Sequence, residues 1–341
     1  MRFGSYFITI NFDEDVLLPS YLGSTLRGAF GAALKTSMCG NLNRECESCR
    51  IAERCLYAKT FEPKSFTGKM NVRGVEPPPS YVVAPPDSHT TFLGKGETLA
   101  FTLLLFGEAN YYLPFFLNAV EMMGRRGIGR RPDGPGGALF SLYSVEQDQG
   151  HNLFDPADGR LVGEPAVQYI RLEPPPAGNP GILTVKLLTP LRLKFQGHLQ
   201  DTLPFHVLVR AALRRVSSVF AAHGDGAPEI KYAQLVAEAS AVKTISSDLR
   251  WLDWERYSNR QKRRMLLGGM VGTISFAEVA AAYLPILAIA SLLHIGKQST
   301  FGLGKFSLAW RPDQERGAMT MSSTASPAKD ESICSPQLSS K

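Results

Sequence analysis

The chain has 341 residues, is 44% hydrophobic and carries a formal net charge of +6. That is enough length and apolar content for two ordinary domains with full cores. No apolar run reaches the length needed to span a bilayer, which excludes a membrane-spanning helix, and the moderate basicity favours a polyanionic partner without naming one.

From the start of the chain, residues 5–12 (SYFITINF) read as a β-strand. Asp13, Glu14 and Asp15 follow at once, which argues against a secretory signal and makes the cytoplasm the expected compartment. A helix is predicted over 20–35, with Leu22, Leu26, Phe30 and Leu34 spaced four apart on one face. Gly23, Gly28 and Gly31 each cost about 1 kcal/mol there relative to alanine, which suggests close approach by another backbone, from a second domain or a ligand. Tyr21, Ser24, Arg27 and Lys35 lie on or beside this helix.

Cys39, Cys46, Cys49 and Cys55 follow within CGNLNRECESCRIAERC. Four clustered thiolates suit a structural tetrahedral zinc, or an iron–sulfur cluster. The plainer reading is reduced, unligated thiols. With four protein ligands no position stays open for catalysis by the metal.

Residues 64–90 read as irregular and 99–106 (LAFTLLLF) as a strong strand. Asn110 is a candidate cap for a helix over 113–123, which runs into GRRGIGRR. A Pro/Gly-rich linker is expected within 163–181. Strands are then predicted at 182–188 and 191–195. A helix over 204–222 follows a cap at Asp201 or Thr202, with Phe205, Leu208, Val209, Ala212, Leu213, Val216 and Phe220 as its apolar stripe. On its opposite side His206, Arg210 and Arg214 stand four apart, as a ligand-facing row or a solvated face.

The run DLRWLDWERYSNRQKRRM interleaves Arg250, Arg256, Arg260, Lys262, Arg263 and Arg264 with Trp251, Trp254 and Tyr257. Cations can neutralise phosphates and aromatics can stack on unpaired bases. Alternatively the segment is solvated with its tryptophans packed inward. A strand at 270–276, a helix over 284–294 and the glycine-rich stretch LHIGKQSTFGLGKF complete the pattern. Gly296, Gly302 and Gly304, flanked by Lys297 and Lys305, form a loop whose N–H groups could hold a phosphate, or one that needs glycine for geometry alone. Residues 312–341 lack periodicity and read as a disordered tail.

The second half repeats the first. Helices begin Leu113-Pro114 and Leu284-Pro285, meet Gly124 and Gly296, and lead to a Gly-x-Gly. The expected fold is α+β, two tandem ferredoxin-like β-α-β-β-α-β domains. The first covers 1–165, with the cysteine-rich module at about 39–55. The second covers 180–311 and carries the glycine-rich loop.

Several segments together resemble the CRISPR-associated endoribonucleases that process precursor CRISPR RNA, in the RAMP superfamily. IGKQSTFGLGKF looks like that family's C-terminal glycine-rich loop. LRGAFGAALK, the cysteines followed by CLYAKTFEP, PFHVLVRAALRRVSSV and WERYSNRQKRRMLLGGMVG are similar to its other conserved pieces. The resemblance spans nearly all of 1–310. It implies two ferredoxin-like domains and metal-independent cleavage of repeat RNA, by attack of a 2′-hydroxyl on the adjacent phosphate. Family members often carry a general-base histidine in or just after the first helix, whereas this chain has none before His89. Three options follow. Tyr21, Arg27 and Lys35 position RNA and stabilise charge; or His206 or His294 acts as the base; or RNA is bound and cut slowly, as by a non-catalytic subunit of a CRISPR effector complex. RNA contacts are expected from Arg210, Arg214, Arg256, Tyr257, Arg260, Lys262, Arg263, Gly296, Lys297, Gly302, Gly304 and Lys305. The implied partners are repeat RNA or crRNA and other CRISPR effector subunits, with no membrane and with monomer or homodimer left open.

Overall fold

A computed structural model describes residues 1–42, 45–62, 77–147, 150–258 and 263–313. In the N-terminal half, β1 (Arg2–Phe12), β2 (Tyr81–Ala84), β3 (Thr98–Phe106) and β4 (Phe140–Gln147) form one antiparallel sheet in the order β2-β3-β1-β4. Strand β1 alternates, as a half-buried strand must. Tyr6, Ile8, Ile10 and Phe12 are buried, while Phe7 points outward. Helices α1 (Gly23–Met38) and α3 (Leu113–Arg126) cover the buried face, with Leu22, Leu26, Phe30 and Leu34 meeting Phe116 and Val120 in one core. A short helix α2 (Leu56–Phe61) packs beside α1.

The C-terminal half repeats this plan. Strands β5 (Gly181–Leu191), β6 (Lys243–Ser258), β7 (Arg263–Val279) and β8 (Phe306–Pro312) pair in the order β6-β7-β5-β8, again antiparallel. Helices α4 (Phe205–His223) and α6 (Leu284–Leu293) cover one face, and a shorter α5 (Tyr232–Ala239) packs on α4. All seven residues of the predicted α4 stripe are buried. Both sheets thus run second–third–first–fourth, an order consistent with the β-α-β-β-α-β reading. Among the described residues no helix is long and apolar enough to cross a membrane.

The structure departs from the sequence reading in several places. The first helix spans Gly23–Met38 and not 20–35, and its N-cap Leu22 provides no side-chain cap. Asn110 does not cap α3. Its amide donates to the Leu105 and Gly107 carbonyls and its Oδ1 accepts from the Tyr6 hydroxyl, which satisfies a buried polar group inside the preceding 3₁₀ turn. Neither Asp201 nor Thr202 caps α4, which starts after Pro204. The two strands expected at 182–188 and 191–195 are one strand, β5, followed by a small hairpin of Lys194–Phe195 with His198–Leu199. Within the expected linker, Gln168 and Tyr169 pair with Phe3 and Arg2 of β1. Of the basic run, Asp248–Ser258 and Arg263–Met265 belong to the paired strands β6 and β7, whose alternation of charged and aromatic residues masked a strand period. Arg260, Lys262 and the expected tail beyond Asp313 lie outside the described residues.

One further departure decides where a site can form. A ferredoxin-like sheet packs its helices on one face and leaves the other free. Here Phe3, Val82, Ala84, Leu104 and Phe106 of the first sheet join Leu183, Leu213, Val216 and Phe220 of the second half in a single core. Burying each such side chain contributes about 1.5–3 kcal/mol, so the two halves are fused along a packed seam.

Candidate nucleic-acid interface

The glycine-rich loop enters this seam. Helix α6 ends at Leu293, and His294 turns the chain out of the helix with φ 57°. Gly302 (φ 82°) packs on Ala84 and Pro85 of the N-terminal half. A Cβ at Gly23, in the first turn of α1, would collide with the Phe301 carbonyl. The close approach inferred from the helix glycines is therefore real at Gly23, where the neighbour is the other half's backbone. Gly31 instead accommodates the Phe61 ring, and nothing lies within 4 Å of a Cβ at Gly28.

Tyr21 and Arg27 meet the loop directly. The Tyr21 hydroxyl donates to the Phe301 carbonyl at 2.7 Å, and its ring packs on Trp254 of β6 with centroids 5.0 Å apart. Burial pushes the Tyr21 phenol upward, so it stays protonated. The Arg27 guanidinium lies over the Phe61 and Phe301 rings at 4.8 and 5.2 Å, while its Nε donates to the Tyr81 hydroxyl at 3.1 Å. The indole of Trp254 packs with Leu267 and Leu303 against Tyr21, so this tryptophan of the basic run is turned inward and is not available to stack on a base.

Several of the loop's own amides have partners within the protein. The N–H groups of Lys297, Phe301, Gly302 and Gly304 donate to the carbonyls of Arg192, Gln298, Ser299 and Pro190, at 2.8–3.1 Å. The Lys305 N–H donates to Thr189 Oγ1 at 2.9 Å. These five amides are therefore committed to the loop's own turns and the end of β5. Lys297 is exposed; Lys305 Nζ is paired with Asp87 Oδ1 across the seam at 3.1 Å.

The remaining predicted residues fall in other places. His206 sets its ring edge-on to Phe195 at 5.6 Å, and the Arg210 guanidinium sits over the same ring at 5.5 Å, with Arg214 exposed one turn on. Lys35 lies over the Tyr57 ring at 6.0 Å, on the cysteine side of α1. Arg256, Tyr257 and Arg263 pair through their backbones near the end of the long hairpin. His294 is buried at 2% exposure, its Nδ1 3.3 Å from the Leu303 carbonyl. Burial, and then the charges of Lys305 and Arg215, hold its pKa down at about 3. The structure thus brings Tyr21, Arg27 and the loop together, and leaves His206, Arg210 and Arg214 as a second patch.

The four thiols lie on the turns between α1 and α2. Cys39 donates to the Asn41 carbonyl, Cys46 and Cys49 bound a 3₁₀ turn, and Cys55 precedes α2. Among the described residues no three Cys, His, Asp or Glu side chains are placed to hold a metal ion. Zinc or an iron–sulfur cluster stays an expectation from the cysteine spacing, and no chemical step is derived from it. Burial, opposed by Lys35 and reinforced by Glu62, Cys55 and Cys39, raises the Cys46 thiol pKa.

Sequence reasoning missed Arg215, which stands beside the flagged row on α4. Its Nε and Nη2 both donate to the Leu293 carbonyl, at 3.1 and 2.9 Å, capping α6 where the loop begins. It also lies over the Phe106 ring at 5.8 Å, and burial lowers its pKa to about 10. Phe195, Asp87 and Arg192 were missed too. Each contacts residues distant in sequence, which no local pattern reveals.

Two antiparallel α+β halves thus meet along a seam that holds the glycine-rich loop. Residues 185–306 match the family model described as CRISPR-associated endoribonuclease Cas6, and residues 1–166 match a model described as an N-terminal domain. The likeness to the Cas6 endoribonuclease family thus lies in the C-terminal half of the chain. An uncharacterized protein of Archaeoglobus fulgidus is 24% identical over 299 residues, covering 85% of this chain and 92% of its own. The fold is similar to that of a Cas6 product complex (TM-score 0.53, 16% identity, covering 91% of this chain and all of that one). It is also similar to Thermus thermophilus Cas6 (TM-score 0.50, 13% identity, covering 90% and 98%).

Proposed function

We propose that the chain binds CRISPR repeat RNA along the seam of its two ferredoxin-like halves and cleaves it without a metal ion. The observation that carries this reading is the glycine-rich loop of the second half, seated against α1 and the 84–87 segment of the first. In the proposed reaction a 2′-hydroxyl loses its proton to a base and attacks the adjacent phosphorus. The P–O5′ bond breaks and the 5′-oxygen is protonated, leaving a 2′,3′-cyclic phosphate and a 5′-hydroxyl. Cationic side chains stabilise the charge that develops on the phosphate. Lys297, Arg210 and Arg214 are exposed for that work, and Lys35 and His206 are partly exposed.

A second reading is that the chain holds crRNA, alone or with other CRISPR effector subunits, and cuts weakly. It is favoured by the internal commitments of two candidate catalytic groups: the Tyr21 hydroxyl on Phe301 and the buried His294 imidazole. Repeat RNA and its analogue with a 2′-deoxy sugar at the scissile position, each incubated with the protein and a chelator, separate the readings. Cleavage of the first to a cyclic-phosphate end, with at least a thousandfold loss on the second, supports the nuclease. Tight binding of both without product supports the crRNA-holding subunit, and equal cleavage of both contradicts the 2′-hydroxyl mechanism.

A further inference from the structure

Of the six histidines in the chain, three face backbone carbonyls. His89 Nε2 lies 2.8 Å from the Pro19 carbonyl, His223 Nε2 lies 2.7 Å from that of Pro78, and His294 Nδ1 faces that of Leu303. His151 pairs with Gln147 at the edge of the first sheet. The other two, His198 and His206, border one aromatic ring. That ring is Phe195, on the small hairpin that follows β5. Gln196 and Gly197 take φ of 49° and 85°, the signature of a tight two-residue turn. Phe195 and His198 are direct cross-strand partners across it, so their side chains share a face with Cβ atoms about 4.5–5.5 Å apart. From α4, the His206 ring meets Phe195 edge-on and the Arg210 guanidinium covers the same ring. Arg210 follows His206 by one turn, about 6 Å along the helix.

The cluster is held at its base and open at its heads. Phe195 packs on the core of the second half, and Gln200 Nε2 donates to the Phe195 and His198 carbonyls at 3.3 and 3.1 Å. His198 and Arg210 are exposed and His206 is partly exposed. Among the described residues, no hydrogen bond or ion pair engages these two imidazoles or this guanidinium. The charged groups nearest in the chain are Lys194 in the hairpin, Asp201 in the connection to α4 and Arg214 one turn on, all exposed. The hairpin also adjoins the glycine-rich loop, because the carbonyl of Arg192, at its base, accepts the Lys297 N–H at 2.8 Å. Attack by a 2′-hydroxyl needs a base, an acid and a cation. Two imidazoles and a guanidinium around one ring supply all three.

We propose that His198 and His206 are the acid–base pair of the RNA cleavage proposed above, with Arg210 holding a non-bridging oxygen of the scissile phosphate. One imidazole takes the 2′-hydroxyl proton as the O2′–P bond forms. The other gives its proton to the 5′-oxygen as the P–O5′ bond breaks, and exchange with water resets both. The proposal rests on the nuclease reading and names the groups that carry out its proton transfers.

The test is single-turnover cleavage of repeat RNA by the full chain, for wild type, H198N and H206N. Each variant should cut at least about a hundredfold more slowly at saturating RNA while binding it as wild type does. A second substrate carries sulfur in place of the bridging 5′-oxygen at the cut. A thiolate leaves without a proton donor, so this RNA should restore the rate of one variant, which marks the acid, and leave the other slow. Rescue of both variants or of neither overturns the pair, as does weaker binding with an unchanged rate at saturation. Wild type alone gives a further check. Its rate at saturating RNA should rise and then fall between about pH 5 and 8, where histidine titrates, and a rate that only rises overturns the pair. No cleavage by wild type overturns the nuclease reading and the pair together, whereas wild-type rates in both variants overturn the pair alone.

Discussion

Gly304→Val is expected to destabilise the protein by about 3 kcal/mol and to abolish RNA cleavage with it. Gly304 sits at φ 78°, where a β-branched residue is a genuine outlier. A Cβ there would collide with the Ile295 carbonyl. The backbone cannot swing aside, because the Gly304 N–H donates to Pro190 and its carbonyl accepts from Ile295, each at 3.1 Å. Gly28→Ala is the control. Gly28 is exposed in α1 with nothing within 4 Å of its added Cβ, so alanine should stabilise the helix by about 0.5–1 kcal/mol. Thermal unfolding of the two variants reads the contrast. A Gly304→Val protein that melts like wild type would show that the loop is not fixed as described.

The second large effect is a loss of stability in mild acid, caused by His294. Its pKa is held at about 3 in the fold, against 6.5 for an ordinary histidine. As pH falls below 6.5 the unfolded chain takes up a proton that the buried imidazole refuses until about pH 3. The stability this neutral residue confers is therefore complete above pH 6.5 and is lost progressively between 6.5 and 3. It amounts to about 2 kcal/mol by pH 5. His294→Gln removes the titration and keeps a side-chain donor for the Leu303 carbonyl. Melting temperatures from pH 8 to pH 5 should fall more steeply for wild type than for this variant. Parallel curves would mean that His294 is accessible to protons in the fold.

The same burial bears on the chemistry. A histidine that protonates only near pH 3 and faces a backbone carbonyl is a brace for the loop in this conformation. Of the two histidines weighed as a base, His206 is the partly exposed one.

The sequence revealed most of what is periodic. The apolar spacing on α1 and α4, the apolar strand runs at 5–12 and 99–106, and the repeated Leu-Pro starts before Gly-x-Gly were enough to order the elements. What it could not reveal depends on partners far along the chain. Tyr21 and Phe301, 280 residues apart, show no signal until the halves are docked. The amides of the glycine-rich loop look free in sequence, yet they bond to Pro190, Arg192 and Thr189 at the end of a strand more than 100 residues earlier. Trp254 reads as a stacking aromatic within a basic run, and only the pairing of Trp254 with Leu267 shows which face of the hairpin it occupies. Arg192 lay inside a predicted strand, where no rule of periodicity distinguishes it.

Photocrosslinking of repeat RNA to the full chain, with the joined peptides identified by mass spectrometry, asks where the nucleic acid lies. Crosslinks clustered on 296–305, the end of β5 and the start of α1 are the expected result. Crosslinks confined to the outward face of the first sheet around Phe7, with none in the loop, would contradict the placement of RNA between the two halves.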